Sequence, residues 1–151
     1  MAQAFSLQPL LELMQTRTDE ATRQLGKLIA AEQNAKSRLQ MLEQYREEYA
    51  QRLRDATAQG ITRTILRNYQ DFLARIDQAI TQQNIAVRQS ENSTAAGQNH
   101  WQEQNKRLKA IDTLSVRHDI RERWHEGKRE QKIQDEYSAR KYATRNPNED
   151  E

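Results

Sequence analysis

The side chains best suited to hold a metal are three histidines, His100, His118 and His125, set among 22 acidic residues in a 151-residue chain without cysteine. Glu122-x-x-His125 puts a carboxylate and an imidazole on one helix face. That is half of the ligand set of a di-metal site in a helical bundle. The other half needs a second Glu-x-x-His and further glutamates from facing helices. The sequence offers no second Glu-x-x-His. It also lacks a phosphate-binding glycine pattern and a strand on which to mount one. The expectation is no metal, no cofactor and no catalytic set: the chain is not an enzyme.

What remains is recognition, and the elements that carry it follow from a repeat. The positions Leu11, Met14, Thr18, Ala21, Leu25, Leu28, Glu32, Ala35, Leu39, Leu42, Arg46, Tyr49, Leu53 and Ala56 are separated by steps of three and four in strict alternation. All but Thr18, Glu32 and Arg46 are apolar. A period of 3.5 residues keeps one stripe facing a partner helix, the condition for a left-handed coiled coil. Composition agrees. Hydrophobic residues make up 35% and charged ones 30%, which is poor for a globular core and normal for a slender rod. Pro9 and Pro147 lie near the two ends, leaving the interior free to be helical.

One break interrupts the pattern, at residues 55–62. Gly60 suits a helix terminus, and Thr62 or Thr64 suits the cap of the next helix. Apolar residues then resume at Leu66, Tyr69, Leu73, Ile76, Ile80, Val87, Trp101, Leu108 and Ile111. A short loop between long helices makes them antiparallel neighbours. The predicted fold is all-α: one coiled-coil domain over residues 1–151, with a helix at about 9–57, a turn at 58–63 and a helix at about 64–142. The end, residues 146–151, reads as a disordered acidic tail.

A turn centred near Ile61 makes paired residue numbers sum to 122. Ala21 then faces Trp101, Thr18 faces Gln104 and Glu32 faces Ser90. A register shifted by one heptad puts Leu25 on Ser90 and crowds Met14 against Trp101. In the first register α-helical pairing ends near residue 112, so roughly 25–30 residues, on the order of 40 Å, overhang alone. Their apolar stripe is Val116, Ile120, Trp124, Ile133 and Tyr137, which predicts a docking surface. Gly26 and Gly97 fall at one level and admit either a close helix approach or a joint.

Positive and negative residues alternate along the chain, for a net charge of +2. No basic surface is evident, which argues against a nucleic-acid partner. Arg52, Arg54, Arg63 and Arg67 read as solvated surface. The N-terminus has no basic segment before Arg17 and does not read as a secretory signal, and no apolar run would span a bilayer. Tyr45, Phe72 and Ala79 fall just beside the seam and line one edge near the turn. They either shield the core or form a binding stripe.

The residues resemble a known family. Leu39-Gln40-Met41-Leu42-Glu43-Gln44-Tyr45-Arg46-Glu47-Glu48-Tyr49 is similar to the first-helix motif of the FliJ family of flagellar export stalk proteins. Gly60-Ile61, Asn68-Tyr69-Gln70-Asp71-Phe72, Ala79-Ile80, Trp101, Lys106-Arg107-Leu108 and Asp135-Glu136-Tyr137-x-x-Arg140 extend the likeness over nearly the whole chain. The agreement away from the seam, at Tyr45, Phe72 and Gly60, makes it specific.

The resemblance implies a hairpin similar to the central stalk of rotary ATPases. Its paired ends would sit in the hexameric ring of the flagellar export ATPase. Its other end would meet the membrane export-gate subunit, and it would escort export chaperones. By family pattern the gate-side residues are Leu42, Tyr45, Tyr49, Phe72, Ile76 and Ala79. Trp124, Ile133, Tyr137 and Arg140 would contact the ATPase. The implied location is cytoplasmic, peripheral to the inner membrane at the flagellar base. The competing reading is a generic self-associating scaffold or tether. A hairpin should be monomeric when isolated, whereas a scaffold should dimerise.

Overall fold

A computed structural model describes residues 3–145; the expected acidic tail lies outside them. Two α-helices, α1 (Gln8–Gln59) and α2 (Arg63–Thr144), pack antiparallel as a hairpin. Their limits fall within one or two residues of the sequence reading. Gly60 adopts φ 87°, a left-handed conformation that glycine takes without steric cost, and its N–H donates to the Thr57 carbonyl at 3.2 Å. Thr62 is the cap of α2: its Oγ1 accepts from the Ile65 N–H at 3.3 Å.

By contacts the chain divides into two units, one of residues Thr18–Gln104 and one of the segments on either side of them. In the first unit the two arms meet along the seam. Thr18 Oγ1 donates to the Gln104 carbonyl at 3.4 Å, and Trp101 Nε1 donates to Thr22 Oγ1 at 2.8 Å. Thr94 Oγ1 donates to the Leu28 carbonyl at 3.3 Å, and Arg46 forms an ion pair with Asp77. The numbers in each pair sum to 122 or 123, which is the expected register.

Of the fourteen repeat positions in α1, only Arg46 is exposed; the others are buried or half-buried. The three polar positions, Thr18, Glu32 and Arg46, each find a polar partner. Glu32 finds its partner on its own helix, where its carboxylate pairs with Lys36. Lys36 Nζ lies 3.0 Å from Glu32 Oε1 and 3.8 Å from Glu91 Oε1, tying the two helices together. Polar seam positions of this kind fix register at some cost in stability.

The hydrogen bond and charge of Lys36 hold the Glu32 carboxyl below its usual value. A lowered carboxyl value means stability that is present above the ordinary carboxylate range and lost as pH falls through the lowered value. Replacing Glu32 by Gln should therefore flatten the drop in melting temperature between about pH 5 and pH 3. Parallel pH profiles for the two proteins would show that Glu32 contributes nothing there.

The glycine level resolves in favour of close packing at one position. A Cβ built at Gly97 would lie 2.5 Å from Leu28 Cδ1, whereas at Gly26 nothing lies within 4 Å. Gly26→Ala should stabilise the chain by about 1 kcal/mol through helix propensity alone. Gly97→Ala should gain nothing, because Leu28 must move. In a Leu28→Ala background the same substitution should recover the full gain. Denaturant titration of the four proteins tests this, and equal effects of Gly97→Ala in both backgrounds would rule out the close approach.

In the second unit the start of the chain lies along α2. Leu11 and Met14 are buried at 7% and 5% exposure. Before the helix, residues 3–5 remain beside α2. The Phe5 ring sits 5.5 Å from the His118 ring, His118 Nε2 donates to the Gln3 carbonyl at 2.8 Å, and the Gln3 N–H donates to Glu122 Oε2 at 3.2 Å. Pairing therefore continues past residue 112, because non-helical chain before Gln8 covers ten further residues of α2. The overhang is residues 123–144, every one exposed. At 1.5 Å per residue that is about 33 Å.

Candidate functional site

Two surfaces expose the side chains that the sequence singled out. The first is at the turn end of the hairpin. Tyr49 is its hub, and four side chains gather on its ring. Phe72 packs against it with centroids 4.2 Å apart, Tyr45 stacks on it at 6.1 Å and 15°, and Tyr69 tilts towards it at 6.5 Å. The Arg52 guanidinium lies over the same ring, 5.1 Å from its centre. Tyr45 is 52% exposed, while Tyr49 and Phe72 are half-buried. Aromatic pairs of this geometry hold one another in place, so the cluster is preorganised. Arg52, Ile65, Asn68 and Tyr69 complete the wall of a shallow hollow beside Tyr49 and Phe72.

The second surface is the overhang. The seam positions of α2, all buried or half-buried, step by three and four from Leu66 to Glu122 and end Leu108, Ile111, Ser115, His118, Glu122, with half-buried Phe72, Ala79, Ala86 and Asn105 beside them. Val116, Ile120 and Trp124 are not among them. They are 50%, 60% and 56% exposed and point about half a turn away from the seam. Ile133 and Tyr137, each 66% exposed, lie with Arg140 on the seam side of the helix. The expected single stripe is thus two surfaces on opposite sides of α2.

Among the described residues no three of His, Asp and Glu gather as metal ligands. Glu122 accepts from Gln3, and His125 stands edge-on to Trp124 at 5.1 Å. Among the described residues no helix is long and apolar enough to cross a membrane.

Residues 3–147 match the family model described as "Flagellar FliJ protein". The chain is 33% identical over 140 residues to the flagellar FliJ protein of Escherichia coli (strain K12), covering 93% of this chain and 95% of that one. It is 32% identical over 140 residues to the flagellar FliJ protein of Salmonella typhi, with the same coverage. The chain belongs to the FliJ family. Membership implies a role in flagellar export.

Against the FliJ pattern, the structure brings the six residues expected on the gate side into one region. Leu42, Tyr49, Phe72 and Ala79 are half-buried and Tyr45 is exposed, but Ile76 is 7% exposed and fills the core. Of the four residues expected to meet the ATPase, Ile133, Tyr137 and Arg140 share a side and Trp124 faces away from them. Sequence reasoning did not single out Ile65, named Asn68 only within the family motif, and read Arg52 as solvated surface; Arg52 is exposed but also covers the Tyr49 ring. Arg52 sits three residues after Tyr49, the i to i+3 spacing that places it over the ring, and this was the available signal. Its neighbour Arg54 is solvated as expected, 3.1 Å from Glu47 and 2.6 Å from Gln51.

Proposed function

We propose that this chain is the non-enzymatic coupling stalk of the flagellar type III export apparatus. The overhanging end of α2 enters the export ATPase ring, the aromatic tip meets the membrane export-gate subunit, and the protein escorts export chaperones. The observation that carries this reading is the exposure of side chains with anchoring chemistry at both places. Tyr45 at the tip, and Ile133 and Tyr137 on the overhang, have more than half their surface open to solvent. Large exposed apolar and aromatic groups in a monomer mark contact sites. A ring-shaped partner suits a bare helix of 22 residues, since it can contact every side of it. The working location is the cytoplasmic face of the membrane at the flagellar base.

Isolation from cells assembling flagella is the test. The export ATPase should co-purify with the full chain and should be lost when residues 123–144 are removed. Retention of the ATPase by the shortened chain would overturn the ring assignment. The seam of α1 is filled by α2 of the same chain, so the isolated protein should sediment as a monomer. A stable dimer would favour a self-associating scaffold instead.

A further inference from the structure

The outer side of α2 carries a surface of which only Trp124 is among the residues expected to meet the ATPase. Val116, Ile120 and Trp124 stand at successive steps of four, a continuous ridge on the side away from α1. Around them on the same side are Lys106, Lys109, Arg117, Arg123 and Lys128, with Arg121 at the margin. All six cations are exposed. The only carboxylates bordering the ridge between positions 106 and 128 are Asp112 and Asp119. Among the described residues Lys106, Lys109, Arg117, Arg121 and Arg123 enter no ion pair. Lys128 Nζ sits 4.2 Å from the centre of the Trp124 ring, and His125 meets that ring edge-on at 74°. The indole is thereby held at the end of the ridge, which lowers the cost of using it as an anchor.

We propose that this outer face of α2 is a docking surface for an acidic amphipathic helix of a partner protein. The partner's apolar residues seat along Val116, Ile120 and Trp124, and its carboxylates meet the flanking lysines and arginines. A row at steps of four is the ridge that interdigitates with a second helix. The positive border supplies the charge complementarity that selects an acidic one and steers its approach. Three residues in a single row are too narrow for the broad apolar face with which a helix lies in a lipid surface. A nucleic acid would use the cations and leave the ridge idle. A second copy docked symmetrically would set six cations against six. The face is opposite Ile133, Tyr137 and Arg140, and the inference holds whether or not those residues enter an ATPase ring.

The test is a photo-cross-linking amino acid at position 120 of the full chain, with position 133 as a separate probe, in cells assembling flagella. Cross-linked peptides are sequenced by mass spectrometry. Position 120 should capture a partner segment of net negative charge with apolar residues at helical spacing. Adding Arg117→Glu, Arg121→Glu and Arg123→Glu should cut that yield by about ten-fold, three weakened charge contacts in a partly desolvated interface, and leave the yield at 133 within about two-fold. The same three positions changed to Gln should act in the same direction and more weakly. All three side chains are exposed, so the helix content and melting of each variant should match the parent. Capture of lipid, nucleic acid, a second copy or a segment without net negative charge overturns the proposal. So does an absence of cross-links at 120, or an equal loss at both positions. Failure at 133 alone counts against the ring reading and not against this one.

Discussion

Replacing Tyr45 and Phe72 together by Ala should weaken binding to the export-gate subunit about thirty-fold or more, with ATPase binding changed less than about two-fold. An aromatic anchor is worth roughly 2 kcal/mol when truncated, which is a factor of about thirty. Replacing Ile133 and Tyr137 by Ala should do the reverse. The tip pair is chosen because Tyr45 is 52% exposed and Phe72 lies at the edge of the seam against Tyr49. The overhang pair is chosen because both residues share the seam side of α2, unlike Trp124. Loss of the Phe72 ring from Tyr49 should also cost about 1–2 kcal/mol of stability, so binding must be measured well below the melting transition. Tyr45→Ala alone should leave melting unchanged and still weaken the gate complex. If the tip variant loses both partners at a temperature where it is folded, or if Tyr45→Ala has no effect on the gate, the aromatic edge is structural.

The fold was legible because the repeat in α1 is mostly apolar, and thirteen of its fourteen positions are buried or half-buried. The seam of α2 was harder to read. Gln83, Thr94, Ser115, His118 and Glu122 all lie on it. Their place is set by the neighbouring helix and not by their own polarity, so a search for apolar residues passes over them. Extending the apolar list beyond Ile111 then failed for a geometric reason. Val116, Ile120 and Trp124 recur at steps of four, which drifts off a 3.5-residue seam, and no α1 residue lies opposite to reveal the drift. The basic outer face was hidden in a similar way. Charges alternate along the sequence, but around the helix Lys106, Lys109, Arg117 and Arg123 fall together while Glu122 and Glu126 fall elsewhere. At the tip, Tyr45 and Phe72 were visible from their position beside the seam, whereas Arg52 was lost among arginines of similar spacing.

Replacing Gln104 by Leu should stabilise the chain by about 1–3 kcal/mol, the cost of an orphaned buried polar group. Gln104 is 6% exposed, and its Oε1 is buried with no hydrogen-bond partner among the described residues. A cross-helix bond at this level, from Thr18 Oγ1, goes to the Gln104 backbone carbonyl and survives the substitution. Leucine approximates the volume of the lost side chain and removes the unpaid desolvation. For a chain of this size the gain should raise the melting temperature by several degrees. The expected cost is specificity. Thr18 and Gln104 form one of three polar levels in an otherwise apolar seam, and a seam with fewer polar levels distinguishes less well between its own register and a shifted or intermolecular one. Sedimentation and denaturant unfolding of Gln104→Leu should therefore show a more stable protein with a measurable dimer fraction at high concentration. A loss of stability would mean that the carboxamide is bonded and supports the seam, and a gain with no dimer would assign register to Glu32 and Arg46 alone.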